Sequence, residues 1–144
     1  MLKDNYIDAT HNEGCPFCNP DPTREFLLES DIAFAIFDKF PVSMGHALII
    51  PKNHCSDYFK LSFSEQTACW DMVNKLKAIL DENFRPSGYN IGININASAG
   101  QTVPHVHIHL IPKSGGNLCG GNGVSVLPYA HPQLFKVFKH LIYV

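Results

Sequence analysis

Apolar residues in the first half of the chain occur in short runs broken by turn residues, which is the pattern of β-strands. The segment from Phe26 to Phe37 predicts two short strands around the polar turn Glu29-Ser30-Asp31. The run from His46 to Pro51 predicts a buried strand that ends at its proline. These runs favour a sheet of short strands in this half of the chain.

A helical spacing begins at Ser62. Ser62 and Glu65 have the S-x-x-E spacing of a capping box, in which side chains satisfy the first free backbone amides of a helix. Apolar residues then recur every three or four positions until Pro86, which predicts one helix with an apolar stripe on the sheet. That predicted stripe comprises Trp70, Val73, Leu76, Leu80 and Phe84.

Two further strands are predicted in the second half of the chain. Between Tyr89 and Asn96, isoleucine alternates with glycine or asparagine, the period of a strand with one buried face. A loop from Ala97 to Thr102 and a second strand from Val103 to Pro112 follow, so the two strands could pair as a hairpin. The glycine-rich stretch from Ser114 to Asn122 predicts a loop, and Pro132 opens an amphipathic run that predicts a short helix.

The chemistry of the sequence is concentrated in a histidine ladder, by which we mean His105, His107 and His109. On a strand, these three imidazoles share one face, while the intervening aliphatic residues Val106, Ile108 and Leu110 enter the core. A row of imidazoles can bind a metal ion, or it can divide nucleophile and proton-donor roles among its members. The spacing alone leaves both possibilities open.

The residues before the ladder favour phosphorus chemistry. Gly100, Gln101 and Thr102 offer a glycine turn with amide and hydroxyl donors that can surround a phosphate. No aspartate or glutamate lies nearby in the sequence to complete a hydrolytic metal centre. We therefore expect the ladder to act on a phosphate.

Several segments together resemble the histidine triad superfamily. They are Phe37-Asp38, the run from Gly45 to His54 (GHALIIPKNH), Gly92-Ile93-Asn94, and the stretch from Ala99 to Ile111 (AGQTVPHVHIHLI). The resemblance covers about residues 15–112 and is greatest to the bacterial branch that carries zinc. It implies one domain over residues 1–144, with a core at 15–112 and an extension at 113–144. The implied fold is α+β, an antiparallel sheet of about five strands with one long helix and a short C-terminal helix, continued across a homodimer.

The resemblance also implies residue roles. His107 is expected to attack an α-phosphorus and form a nucleotidyl-histidine that water then hydrolyses, with its other ring nitrogen held by an acceptor. His109 is expected at the phosphate or leaving group, and His46 is expected to assist on the phosphate side. The implied substrate-binding residues are Asp38 for ribose hydroxyls, Asn94, Gln101 and Thr102 for phosphate, and Phe17 and Phe37 for the nucleoside pocket. Core packing is an equal alternative for the two aromatics.

Cys15 and Cys18 form a C-x-x-C pair. The spacing is common to structural zinc sites, although a redox pair or an idle pair has the same sequence. The resemblance supplies the two missing ligands, His54 and His105. A closed Cys₂His₂ site of this kind would make Zn²⁺ structural and add to folding free energy.

Composition narrows the choice of partners. The net charge of −2 and a pI near 6.4 give no basic field for long nucleic acid. The sequence has no signal-peptide pattern and no apolar run long enough to span a bilayer. We therefore expect no association with a membrane and a cytoplasmic location.

We therefore expect a hydrolase that acts on purine nucleotides, either dinucleoside polyphosphates or nucleoside phosphoramidates. Two alternatives stay open. One is a nucleotide-binding regulatory module with little turnover. The other is a metalloenzyme that holds one ion with all three ladder histidines.

Overall fold

The computed structural model describes residues 11–114, which form one five-stranded antiparallel sheet in the order β1-β2-β3-β5-β4 with one long helix packed on it. The elements are β1 Leu28–Glu29, β2 Ala33–Phe37, β3 Ala47–Pro51, α1 Phe63–Phe84, β4 Gly88–Gly92 and β5 Ile108–Lys113, with short 3-10 helices at Tyr58–Lys60 and Ala97–Ala99. This α+β arrangement confirms the predicted sheet and long helix. The predicted C-terminal helix lies outside the described residues. Within residues 11–114, no helix is long and apolar enough to cross a membrane.

Helix α1 begins at the predicted capping box. The Ser62 hydroxyl accepts a hydrogen bond from the Glu65 amide, and the Glu65 carboxylate accepts one from the Ser62 amide, each at 3.1 Å. The helix ends before Arg85, which adopts a left-handed φ of 46°. The buried stripe of α1 consists of Cys69, Met72, Val73, Leu76 and Leu80.

The prediction for Trp70 is wrong. This side chain is 38% exposed, and its indole N–H donates to the Tyr58 hydroxyl at 3.0 Å. The buried stripe follows the three- and four-residue steps that start at Cys69, so Trp70 lies about 100° further round the helix. Cys69 and Met72 pack against the sheet instead.

Alternation along the strands gives the sheet two different faces. Ala33 and Ala35 of β2, with Ile108 and Leu110 of β5, contribute to the core beneath α1. The opposite face carries a second core in which alternate residues of β2 and β3 pack with the amino-terminal segment: Phe34, Ile36, Leu48, Ile50, Cys15 and Phe17. Because Ile108 and Leu110 face the helix, His109 between them points to the opposite face.

The two predicted strands of the second half do pair, as β4 and β5, but both are shorter than expected. β4 stops at Gly92, and Ile91 on it is 50% exposed, because β4 is an edge strand whose sheet neighbour is β5. β5 starts at Ile108, so His105 and His107 lie in the segment leading into it. Pro104 has no amide hydrogen for a ladder, and the Val106 amide donates to the Cys55 carbonyl instead.

Replacing Gly45 with alanine is expected to destabilise the protein by about 2 kcal/mol or more. Gly45 has a φ of +84°, and a Cβ there would lie 2.9 Å from the Phe84 ring and 3.2 Å from Pro112. A left-handed φ alone costs an L-residue about 1–2 kcal/mol, and the contact adds to that cost. Chemical denaturation measures the loss. Gly88→Ala is the matched control, because a Cβ at Gly88 meets nothing within 4 Å, and an equal effect of the two variants would contradict the argument.

Candidate active site and metal centre

The four predicted metal ligands lie close together in space: Cys15, Cys18, His54 and His105. Nδ1 of His105 lies 3.3 Å from Sγ of Cys15 and 3.6 Å from Sγ of Cys18. Nδ1 of His54 lies 3.4 Å from Sγ of Cys18 and 3.3 Å from Nδ1 of His105. The four ligand atoms all lie within 4.8 Å of one another. The structure thus brings together residues that are up to 90 positions apart in the sequence.

These spacings suit one tetrahedral ion. Bonds of about 2.3 Å to sulfur and about 2.1 Å to nitrogen place neighbouring ligand atoms roughly 3.4–3.8 Å apart, close to the distances observed. His105 is also oriented for this role, because its Nε2–H donates to the Pro51 carbonyl at 2.7 Å and leaves the lone pair on Nδ1. Burial lowers the pKa of His105 to about 4, which keeps the imidazole neutral as a ligand must be. The cluster could therefore hold a metal ion.

The segment that carries the two cysteines is held by a residue that the sequence did not single out. The Asn19 side-chain amide donates to the carbonyls of Asn12, Glu13 and Cys15 at 2.9, 2.9 and 3.1 Å. These bonds close the loop around Cys15 and Cys18. The signal was local, since asparagine often bonds to nearby backbone groups in turns.

His107 is buried beside this cluster, with 6% of its surface exposed. Its Nδ1–H donates to the His105 carbonyl at 2.8 Å, so in the neutral ring the lone pair is on Nε2. Phe17 packs edge-on against both His105 and His107, with ring centroids 5.8 and 5.2 Å away. His107 therefore lies between the metal cluster and His109, and the centroids of the His107 and His109 rings are 4.9 Å apart.

A second polar group adjoins His107 and includes the carboxylate of Asp38, which is distant from the ladder in the sequence. Nε2 of His46 lies 3.0 Å from Nδ1 of His109 and 3.4 Å from Oδ2 of Asp38. Asp38 follows β2, and strand β3 pairs with both β2 and β5, so the sheet brings these three side chains together. Asp38, which the resemblance implied as a substrate-binding residue, therefore lies next to two of the histidines.

Burial governs the protonation of the imidazoles in this group. It lowers the pKa of His109 to about 4, with His107 and His46 acting in the same direction and Asp38 opposing them. Burial also lowers the pKa of His46, against the effect of Asp38. Nε2 of His109 is buried and has no hydrogen-bond partner within residues 11–114.

Side-chain hydrogen bonds hold the predicted phosphate loop in place. Gln101 uses its side chain locally, because Oε1 accepts from the Asn96 amide and Nε2 donates to the Ser56 carbonyl, both at 2.8 Å. These two bonds tie the loop to the segment after His54. Asn94 has its amide near Gly100, and Thr102 is exposed. The side chains of Asn94 and Thr102 are exposed and could contact a phosphate.

The two predicted pocket aromatics are on opposite faces of the sheet. Phe17 lies beside His107. Phe37 shares its face of β2 with Ala33 and Ala35, and packs against the core beneath α1 and against Phe84 at a centroid distance of 6.2 Å. The structure thus does not bring Phe37 to the histidines, because the residue before Asp38 points to the other side of the strand.

Acidification from pH 7.5 to 5.0 is expected to lower the free energy of unfolding. A histidine whose folded pKa lies below its unfolded value of 6.5 stabilises the fold above pH 6.5, and this stability is lost as the pH falls towards the folded pKa. Fully buried His105, with a folded pKa of about 4, accounts for up to about 2 kcal/mol in this interval. Urea denaturation at both pH values measures the change. His11→Ala, at an exposed position, should leave it unaltered, and a pH-independent stability would contradict the prediction.

Comparison with known proteins agrees with this geometry. Residues 20–116 match the family model for the HIT domain. The chain is 35% identical over 105 residues to an uncharacterized 16.1 kDa HIT-like protein of Mycoplasma pneumoniae, covering 71% of this chain and 73% of that one. It is 41% identical over 89 residues to the asymmetrical bis(5′-nucleosyl)-tetraphosphatase of Schizosaccharomyces pombe, covering 62% of this chain and 49% of that one.

Among solved structures, a hypothetical histidine triad nucleotide-binding protein of Sulfolobus tokodaii superposes with a TM-score of 0.74 at 27% identity. The match covers 89% of each chain. The shared fold, the matched domain and the histidine ladder, which ends where β5 pairs with β3, all indicate the same family. The chain belongs to the HIT, or histidine triad, family.

Proposed function

We propose that this protein hydrolyses a purine nucleotide at its α-phosphorus through a covalent intermediate on Nε2 of His107. The observation that carries the proposal is the 2.8 Å hydrogen bond from His107 Nδ1–H to the His105 carbonyl. It directs the ring lone pair away from the backbone, as a nucleophilic imidazole requires. The name of the fission-yeast relative, a bis(5′-nucleosyl)-tetraphosphatase, supports a dinucleoside polyphosphate as the substrate.

In the first step, His107 Nε2 forms a bond to the α-phosphorus while the bond from that phosphorus to the leaving group breaks. The leaving group departs with the bonding electron pair. In the second step, water attacks the same phosphorus, the P–N bond breaks, and the electron pair returns to Nε2. A proton from the water goes to solvent, and the nucleoside monophosphate is released. Splitting one displacement into two is the general gain of covalent catalysis.

Other side chains are assigned by their positions. His109 and His46, beside His107, act on the phosphate and leaving group. Asn94 and Thr102 contact phosphate oxygens, and Gln101 holds their loop through the Ser56 carbonyl. Phe17 contacts the nucleoside. Asp38 accepts hydrogen bonds from the ribose hydroxyls or orients the neighbouring imidazoles. The role that the resemblance implied for Phe37 is dropped, since its ring packs beneath α1.

The proposal includes a structural Zn²⁺ held by Cys15, Cys18, His54 and His105. Two thiolates and two imidazoles in a closed tetrahedral set are typical of structural zinc, which leaves no position for substrate. When bound, the ion would hold the amino-terminal segment against the ladder. The alternative of one ion on all three ladder histidines has no support, because Nδ1 of His105 faces the cysteines and its Nε2 bonds to Pro51.

We also include a homodimer in the proposal. Strand β4 is an edge strand, and Ile91 on it is 50% exposed, which leaves a surface that a second copy could extend. The mass of the protein in solution, by light scattering, tests this part.

The test of the proposed function is release of nucleoside monophosphate from a substrate panel. The panel contains di-adenosine polyphosphates of several lengths and an adenosine phosphoramidate, each assayed with the wild-type protein and with His107→Ala. We expect turnover that depends on His107. Binding of nucleotide with no turnover on any substrate would instead favour the regulatory module.

A further inference from the structure

One backbone amide determines where the proton of His46 lies. The Val42 N–H donates to His46 Nδ1 at 3.1 Å. A backbone amide can only donate, so Nδ1 must carry the lone pair and the neutral ring carries its hydrogen on Nε2. A second proton on Nδ1 would point at the Val42 N–H and break this bond. The geometry therefore holds His46 as a neutral donor through Nε2.

The same constraint passes to His109. The His46 Nε2–H lies 3.0 Å from His109 Nδ1, a distance at which two N–H groups cannot face each other. Nδ1 of His109 must therefore accept, and its ring hydrogen lies on Nε2. That atom is buried and unpartnered among the residues that the structure describes, although a buried N–H ordinarily has a partner. This N–H is thus placed to donate to a ligand atom.

We propose that the Val42 amide locks His46 and His109 as neutral imidazoles, so that His109 Nε2–H is a fixed hydrogen-bond donor to substrate and not a proton donor. The inference rests on the proposed function and narrows its substrate class. A neutral imidazole that lost this proton would become an anion in a buried site, which is strongly unfavourable. The leaving group must then depart as a stable anion without receiving a proton.

This requirement selects among substrates. A phosphate leaving from a polyphosphate chain departs as a stabilised anion, whereas an amine or alkoxide needs a proton from the site. General acid catalysis contributes typically about 10²–10⁴-fold where it operates. Its absence here favours phosphoanhydrides, such as dinucleoside polyphosphates, over phosphoramidates with basic amine leaving groups.

The carboxylate of Asp38 is compatible with the proposed tautomers, although its charge favours a second proton on both imidazoles. Asp38 at the end of β2 has Oδ1 fixed by the Phe40 amide at 2.9 Å, and its Oδ2 faces His46 Nε2 at 3.4 Å and His109 Nδ1 at 3.9 Å. The carboxylate can share the His46 N–H, which keeps the same tautomer. Burial disfavours the charged form of His46, and the positive charge of Lys113 acts in the same direction.

A metal ion is the competing occupant of this group. The ligand atoms of Asp38, His46 and His109 lie within 4.8 Å of one another, so a divalent ion could bridge them. The Val42 bond opposes this occupant, because it leaves a hydrogen on the His46 nitrogen that would have to coordinate. Binding of a second zinc equivalent here would overturn the proposal.

The decisive experiment is ¹⁵N NMR of the histidine rings in the zinc-loaded protein. We expect His46 and His109 to be neutral Nε2–H tautomers at pH 7. Val42→Pro removes the amide hydrogen, and Val42→Ala keeps it as the matched control. In the proline variant His46 should take up its second proton at least one pH unit higher than in the alanine variant. Imidazolium at either histidine at pH 7, or identical titrations in the two variants, would overturn the proposal. If the proline variant fails to fold, the wild-type tautomers decide alone.

Kinetics provide the second arm. We expect kcat/KM for a di-adenosine polyphosphate to exceed that for an adenosine phosphoramidate by about 10²-fold or more. His109→Leu, which removes the donor, should cost about 10²–10³-fold on the anhydride, and His109→Gln, which keeps a neutral N–H, should cost less. An equal loss in both variants, or a preference for the amine leaving group, would overturn the proposal. Neutral tautomers without turnover on any substrate would instead mean that the proposed function fails.

Discussion

Replacing His107 with alanine is expected to lower nucleotide hydrolysis by four orders of magnitude or more. The imidazole supplies the attacking atom, and no other group of the described site has a nitrogen lone pair directed in the same way: His105 Nδ1 faces the cysteines, and His109 Nδ1 faces His46. Removal of a covalent nucleophile in comparable enzymes costs about 10⁶-fold in kcat. Release of nucleoside monophosphate, followed by anion-exchange chromatography, measures the loss.

Two controls separate lost chemistry from lost structure. His11→Ala removes an exposed histidine and should keep wild-type turnover. His107→Gly leaves space for added imidazole, which should restore part of the activity by attacking in place of the side chain. The His107 variants should retain bound zinc and lose about 1 kcal/mol from the missing bond to the His105 carbonyl. Turnover in His107→Ala above a tenth of the wild-type rate would refute a nucleotidyl-histidine at this position.

Replacing Cys15 and Cys18 together with alanine is expected to abolish stoichiometric zinc binding and to destabilise the fold by several kcal/mol. Structural zinc binds to small domains with about 10–16 kcal/mol, and that free energy is available only to the folded chain. Loss of the thiolates also leaves His54 and His105 facing each other at 3.3 Å with no ion between them. Metal analysis after dialysis and thermal unfolding measure the two effects.

The matched control for the cysteine pair is Cys69→Ala. Cys69 is a fully buried residue of α1 that faces the sheet, away from the metal cluster, so its loss should reduce stability modestly while zinc stays bound. Zinc retained by the Cys15/Cys18 double variant would show that the cluster is not the metal site. Equal destabilisation by the control would show that core packing, and not metal, explains the loss.

The features that the sequence predicted correctly are those encoded within a few residues. The capping box needs only Ser62 and Glu65, three positions apart, and α1 begins where they predict. The polar turn before β2 and the proline that ends β3 are equally local. The spacing of the C-x-x-C pair and of the alternating histidines also indicated where the functional residues are. The four proposed metal ligands do lie close together.

The predictions that failed depend on what packs against what. Helical spacing admits both Trp70 and Cys69 to an apolar stripe, and the position of the sheet beneath α1 selects Cys69. Apolar alternation in Ile91 predicts a buried face, but β4 is an edge strand, so half of that side chain is exposed. Phe37 ends β2 and its ring packs beneath α1, and only the sheet shows that the histidines lie on the opposite face.

The sequence by itself determined the elements, the family and the residue types of the chemistry, because these depend on local spacing and motif. Tertiary structure alone decided which groups meet and in which proton state. The pairing of β3 with both β2 and β5 brings Asp38 to His46 and His109. The tautomers of His105, His107 and His46 are set by the Pro51 and His105 carbonyls and the Val42 amide. Every residue type except proline supplies the same backbone groups for such bonds. No sequence pattern could therefore have predicted which backbone group each imidazole meets.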